Sequence, residues 1–113
     1  MVSRSQRVSA GVPASFRARR LAGEGHILNV SEEGVFIRSR LLPRPDDDVR
    51  ILFCFSGKTI EVRGTVRWTT DRRTDSERIA PGFGVLLDRP GRDFLEFFQV
   101  VLAESSEKEA DSR

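Results

Sequence analysis

The chain has little of what most enzymes are built from. Its 113 residues include one cysteine, Cys54, one histidine, His26, one tryptophan and no tyrosine. A single cysteine excludes an internal disulfide and fits a reducing, cytoplasmic setting. One cysteine and one histidine cannot assemble a zinc site. Cys54 lies in the apolar run Ile51-Leu52-Phe53-Cys54-Phe55, which predicts a buried, inert thiol. His26 falls in a strand and reads as an ordinary surface or hydrogen-bonding residue. No apolar stretch approaches the roughly 20 residues that span a bilayer, so no membrane insertion is expected, and no leader pattern is evident. Glycine-rich phosphate loops of the nucleotide-hydrolase or dinucleotide type are missing. Asp46-Asp47-Asp48 lacks the spaced ligands and the glycine of a calcium loop and reads as a solvated acidic turn. No catalytic residue, metal or cofactor is assigned, and the chain reads as a binding or interaction domain rather than an enzyme.

Lysine is scarce as well. Of nineteen basic side chains only Lys58 and Lys108 are lysine, and the net charge is +2. So small a surplus counts against a general polyanion-binding surface, and nucleic acid is a minor reading that rests on surface arginines such as Arg63 and Arg67. Arginine grips phosphates and guanine edges with a flat fork and stacks on rings. GC-rich coding accounts for its number, so its position has to carry the argument. Arg17, Arg19 and Arg20 read as a solvated strand face.

At this length, with 38% apolar and 32% charged residues, one soluble domain with a single core is expected. Residues 1–11 show no apolar periodicity and read as a flexible arm carrying Arg4 and Arg7. Val12, Ala14, Phe16 and Ala18 alternate as a half-buried strand, and His26 to Val30 and Val35 to Arg38 make two more. Val49 to Phe55 reads as a strand covered on both faces, and Ser56-Gly57-Lys58 as a hairpin turn. Thr59 to Trp68 alternates cleanly, with Ile60, Val62, Gly64, Val66 and Trp68 on one face; Trp68 reads as a core anchor closing that strand, with the edge of a ligand site as its second reading. Asp71 to Arg78 is a charged loop, and Pro81 to Leu87 the last strand.

Phe94, Leu95, Phe98, Val101 and Leu102 then fall at helical spacing, predicting a helix from Pro90 to Ala103. Phe97 falls off that stripe and is the residue marked for an interface. Residues 104–113 read as a disordered polar tail. Consecutive short strands with alternating faces and no crossover helix predict a mainly all-β fold: a six-stranded antiparallel barrel with a C-terminal helix packed on it, spanning residues 12–103.

The stretch Asn29-Val30-Ser31-Glu32-Glu33-Gly34 reads as a strand end, a polar turn and a glycine supplying positive φ. The arginine arm, this Asn-x-Ser-x-x-Gly turn, Gly64-Thr65-Val66-Arg67-Trp68 and Pro81-Gly82-Phe83-Gly84-Val85 together resemble the PilZ domain family, over residues 4 to 102. The resemblance implies a barrel with a C-terminal helix and binding of cyclic di-GMP, a bacterial second messenger. It assigns Arg4 and Arg7 as clamps and Asn29, Ser31 and Gly34 as the guanine-side wall. One departure stands out. The family spaces its arginines Arg-x-x-x-Arg, whereas this arm has Arg4-Ser5-Gln6-Arg7, with Ser3 where the first arginine belongs. Two readings follow: a cytoplasmic cyclic di-GMP receptor, monomer or weak dimer, acting through an unknown protein partner; or a domain of the same fold that has dropped the ligand and acts only as an adaptor.

Overall fold

A computed structural model describes residues 7–70 and 81–111, the last six of these by backbone alone. Six strands and one helix follow in order: β1 Val8–Ala18, β2 Ala22–Val30, β3 Gly34–Arg38, β4 Asp48–Phe55, β5 Lys58–Thr70, β6 Gly82–Leu87 and α1 Gly91–Asp111. All pairings are antiparallel and close a barrel in the order β1-β2-β3-β6-β5-β4. The expected six-stranded barrel with its C-terminal helix is the fold. Alternation produces it: Phe16, Ile27, Ile37, Ile51, Phe53, Val62 and Phe83 point inward, each at most 3% exposed. The β4–β5 hairpin turns on Ser56 and Gly57, both at positive φ, as that two-residue turn requires.

Several expectations are corrected. β1 begins at Val8, inside the stretch read as arm, because Val8 pairs with Val30 and Ser9 with Asn29. A bulge between Ser9 and Val12 inserts an extra residue and breaks the alternation that would have revealed the strand. β4 is covered on one face only: Val49, Ile51 and Phe53 are buried, whereas Arg50 and Cys54 are exposed. Cys54 is therefore an exposed thiol, since its parity carries it to the outer surface despite apolar neighbours.

On α1 the buried stripe is Phe94, Phe97 and Phe98, while Leu95 is 40% exposed. Phe97 packs at steep ring angles among Phe53, Phe55 and Phe94 with ring centroids 4.8, 4.9 and 5.9 Å away; it is a core residue, not an interface residue. The helix also continues to Asp111, past Ala103 where the apolar stripe gives out. Glu104, Glu107, Lys108, Glu109 and Ala110 are all good helix formers, so continuing the backbone is favourable without an apolar face. Arg4, Ser3 and the 71–78 loop lie outside the described residues.

Candidate functional site

The turn between β2 and β3 is held from inside. The Ser31 backbone N–H donates to the Gly34 carbonyl at 2.9 Å. Its hydroxyl donates to the same carbonyl at 3.5 Å and accepts from the Glu33 N–H at 3.3 Å. Ser31 is only 3% exposed, so it shapes the turn instead of presenting a hydroxyl to solvent. The turn is also tied to β6, where the Leu87 N–H donates to the Glu33 carbonyl at 2.8 Å.

Gly34 is not at positive φ, contrary to expectation; among the described glycines only Gly57 and Gly91 are. It is glycine for another reason. A Cβ at this position would sit 2.7 Å from the Val85 carbonyl oxygen, closer than any side chain tolerates, so its absence lets β3 lie tight against β6. Gly34→Ala is accordingly expected to cost about 1–3 kcal/mol through overpacking against fixed backbone. A thermal melt checks it, and an unchanged midpoint would show that β6 yields.

Arg7 and Asn29 are brought together. Arg7 Nε donates to Asn29 Oδ1 at 2.9 Å, joining residues that the sequence separates by 22 positions. The pairing of Val8 with Val30 and Ser9 with Asn29 sets this up, since it delivers the arginine just ahead of β1 to the end of β2. With Nε engaged, the two terminal nitrogens of the guanidinium and the amide NH2 of Asn29 are donors available to an anion or a base edge.

Next to Asn29 lies an aromatic shelf. Asn29 pairs with Phe36 across β2 and β3, Phe36 with Gly84 across β3 and β6, and Gly84 with Trp68 across β6 and β5. Phe36 and Trp68 stack with centroids 5.2 Å apart and planes 14° from parallel. Trp68 was expected inside the barrel; it is 48% exposed. The cause is a bulge between Val66 and Trp68, which shifts the parity of β5 and turns the ring outward. A second bulge, between Ile27 and Asn29, precedes Asn29 in the same way. Gly82 and Gly84 make room for the shelf, because a Cβ on either would meet a Phe36 or Trp68 ring atom at 2.5 Å. The alternate glycines of Gly82-Phe83-Gly84 were the available signal for outward rings.

The shelf is an open surface. A groove of about 1030 Å³ lies elsewhere on the outer face, between Pro13, Ser15, His26, Arg38 and Cys54, and none of Arg7, Asn29, Ser31 and Gly34 lines it. Among the described residues no helix is long and apolar enough to cross a membrane, and no three His, Cys, Asp or Glu side chains are grouped to hold a metal.

Comparisons with known proteins bear on this arrangement. No curated protein matches the chain. Among solved structures it is similar to the Bacillus subtilis inhibitor of motility, MotI/DgrA, with a TM-score of 0.71 at 13% identity, over 100% of this chain and 54% of that one. The likeness is one of fold, and the chain spans about half the length of that protein. The PilZ domain, as a family, matches residues 2–96. Its match covers the arm, the β2–β3 turn, the barrel and the buried start of the helix, and the chain belongs to the PilZ domain family.

Proposed function

We propose that this domain is a non-catalytic receptor for cyclic di-GMP in the bacterial cytoplasm, passing the bound state to a protein partner. The observation that carries the reading is the Arg7–Asn29 hydrogen bond, which joins the two halves of the family's ligand motif beside an exposed tryptophan. Cyclic di-GMP carries two phosphates and two guanines. The free nitrogens of Arg7 suit a phosphate oxygen or guanine O6 and N7. The Asn29 carboxamide can pair with a guanine edge, and the open face of Trp68 offers a base a stacking surface. Ser31 and Gly34 contribute indirectly, by holding the turn that places Asn29. Arg4 is assigned as the second clamp on the arm.

Trp68 is the one tryptophan and there is no tyrosine, so emission from the shelf can be followed directly. Titration with cyclic di-GMP should release heat and quench that emission along one binding curve. Absence of both at high micromolar ligand would refute the receptor reading. The second reading, an adaptor without ligand, has its own support: Ser31 and Gly34 are fully accounted for by turn and β6 contacts. It predicts the silent titration together with an unaltered melting curve.

A further inference from the structure

The outer face of β1, β4 and β5 carries a row of arginines that barrel packing does not require. Arg17 lies directly opposite Arg50 across β1 and β4, and Arg50 directly opposite Arg63 across β4 and β5. All three are exposed. Like charges facing one another across adjacent strands destabilise a sheet. Two of the three share a single counterion, for Glu61 Oε2 accepts from Arg50 Nε at 3.0 Å and from Arg63 Nε at 3.4 Å. Arg17 has no hydrogen-bond or ion-pair partner among the described residues. The row borders an open groove of about 680 Å³ that also takes in Arg19 and the exposed Leu86. β4, at its centre, is three strands from β3 in either direction round the barrel, and the row's arginines share only β5 with the Asn29 shelf, through Arg63 and Trp68.

We propose that this row is a docking strip for the acidic face of a partner protein's α-helix, laid across the three strands. Spacing selects the helix. Neighbouring strands lie about 4.8 Å apart, so the charges span about 10 Å in two nearly equal steps. Carboxylates at i, i+3 or i+4, and i+7 of a helix recur about 5 and 10.5 Å along its axis. An extended peptide repeats same-face side chains at nearly 7 Å and is out of step by the third arginine. Arginine forks meet carboxylates in pairs, and Leu86 gives the apolar edge of such a helix a contact. A nucleic-acid strand fits less well. It calls for exposed rings on which bases stack, and among the described residues no aromatic side chain lines this groove.

The test uses the full chain, isotope-labelled at arginine nitrogen. It is titrated with an alanine-based helical peptide of about fifteen residues bearing glutamates at i, i+3 and i+7. A second peptide of the same composition has its glutamates scattered round the helix. The registered peptide should shift the Nε–H signals of Arg17, Arg50 and Arg63 together and bind about tenfold tighter than the scattered one. Arg17→Glu should abolish that preference while raising the melting midpoint at low salt, because a repulsive pair with Arg50 becomes attractive. Equal binding of the two peptides overturns the proposal, as do shifts spread over Arg38, Arg40 and Arg67. Tighter binding of a thymidine oligonucleotide or of anionic lipid vesicles overturns it in favour of those partners, and a lower midpoint for Arg17→Glu removes its premise.

Discussion

Phe97→Ala is expected to lower the unfolding free energy by about 3–5 kcal/mol, a large share of the 5–15 kcal/mol that a domain typically has. Phe97 is fully buried and meets three other rings, two from β4 and one from its own helix. Its removal leaves a cavity where the helix seats on the barrel, a place that backbone on both sides keeps from collapsing. Urea unfolding checks the magnitude. If Phe97 served only an interface, the variant would keep wild-type stability and lose self-association in sedimentation, and that outcome would refute the core assignment. Leu95→Ala, on the exposed side of the same helix, is the control that should change little.

Arg7→Ala and Ser31→Ala should fail in opposite ways. Arg7 is exposed and makes one hydrogen bond to the fold, so its loss should leave stability within about 0.5 kcal/mol. The same substitution should weaken cyclic di-GMP by one to two decades, the worth of about 1.5–3 kcal/mol for a charged contact. Ser31 is buried and its hydroxyl both donates and accepts within the turn. Its loss should cost about 1–3 kcal/mol of stability, with any effect on ligand following from a displaced Asn29. Melting curves with and without ligand separate the two. Equal destabilisation by both variants, or wild-type ligand shifts in both, contradicts this division between contact and scaffold.

The succession of strands along the chain, the two-residue hairpin and the closing helix were legible because alternation and turn chemistry are local. The misplaced strand start and the misplaced tryptophan fall where locality breaks. The bulges between Ser9 and Val12, Ile27 and Asn29, and Val66 and Trp68 each add a residue to one strand. No periodicity survives such an insertion, so β1 seemed to start late and Trp68 was placed indoors. The helix posed a different ambiguity. Leu95 and Phe97 both neighbour the Phe94–Phe98 stripe, and only the rings of Phe53 and Phe55 on the barrel decide which turns inward. For the candidate site, residue types were readable but not their jobs. Asn29 and Arg7 face outward together, whereas Ser31 and Gly34 are the turn's own fastenings.

The acidic loop ahead of β4 has a part in this that its charge does not suggest. Its backbone grips β5 at one residue: the Asp46 N–H donates to the Val66 carbonyl at 2.7 Å, and the Val66 N–H to the Asp47 carbonyl at 2.9 Å. Asp46 holds positive φ to do so, and the bulge that swings Trp68 outward starts at that same Val66. The loop therefore works as a tuning peg for the aromatic shelf. A change in its length or backbone would be felt as a rotated indole on β5, with Arg7 and Asn29 still in place.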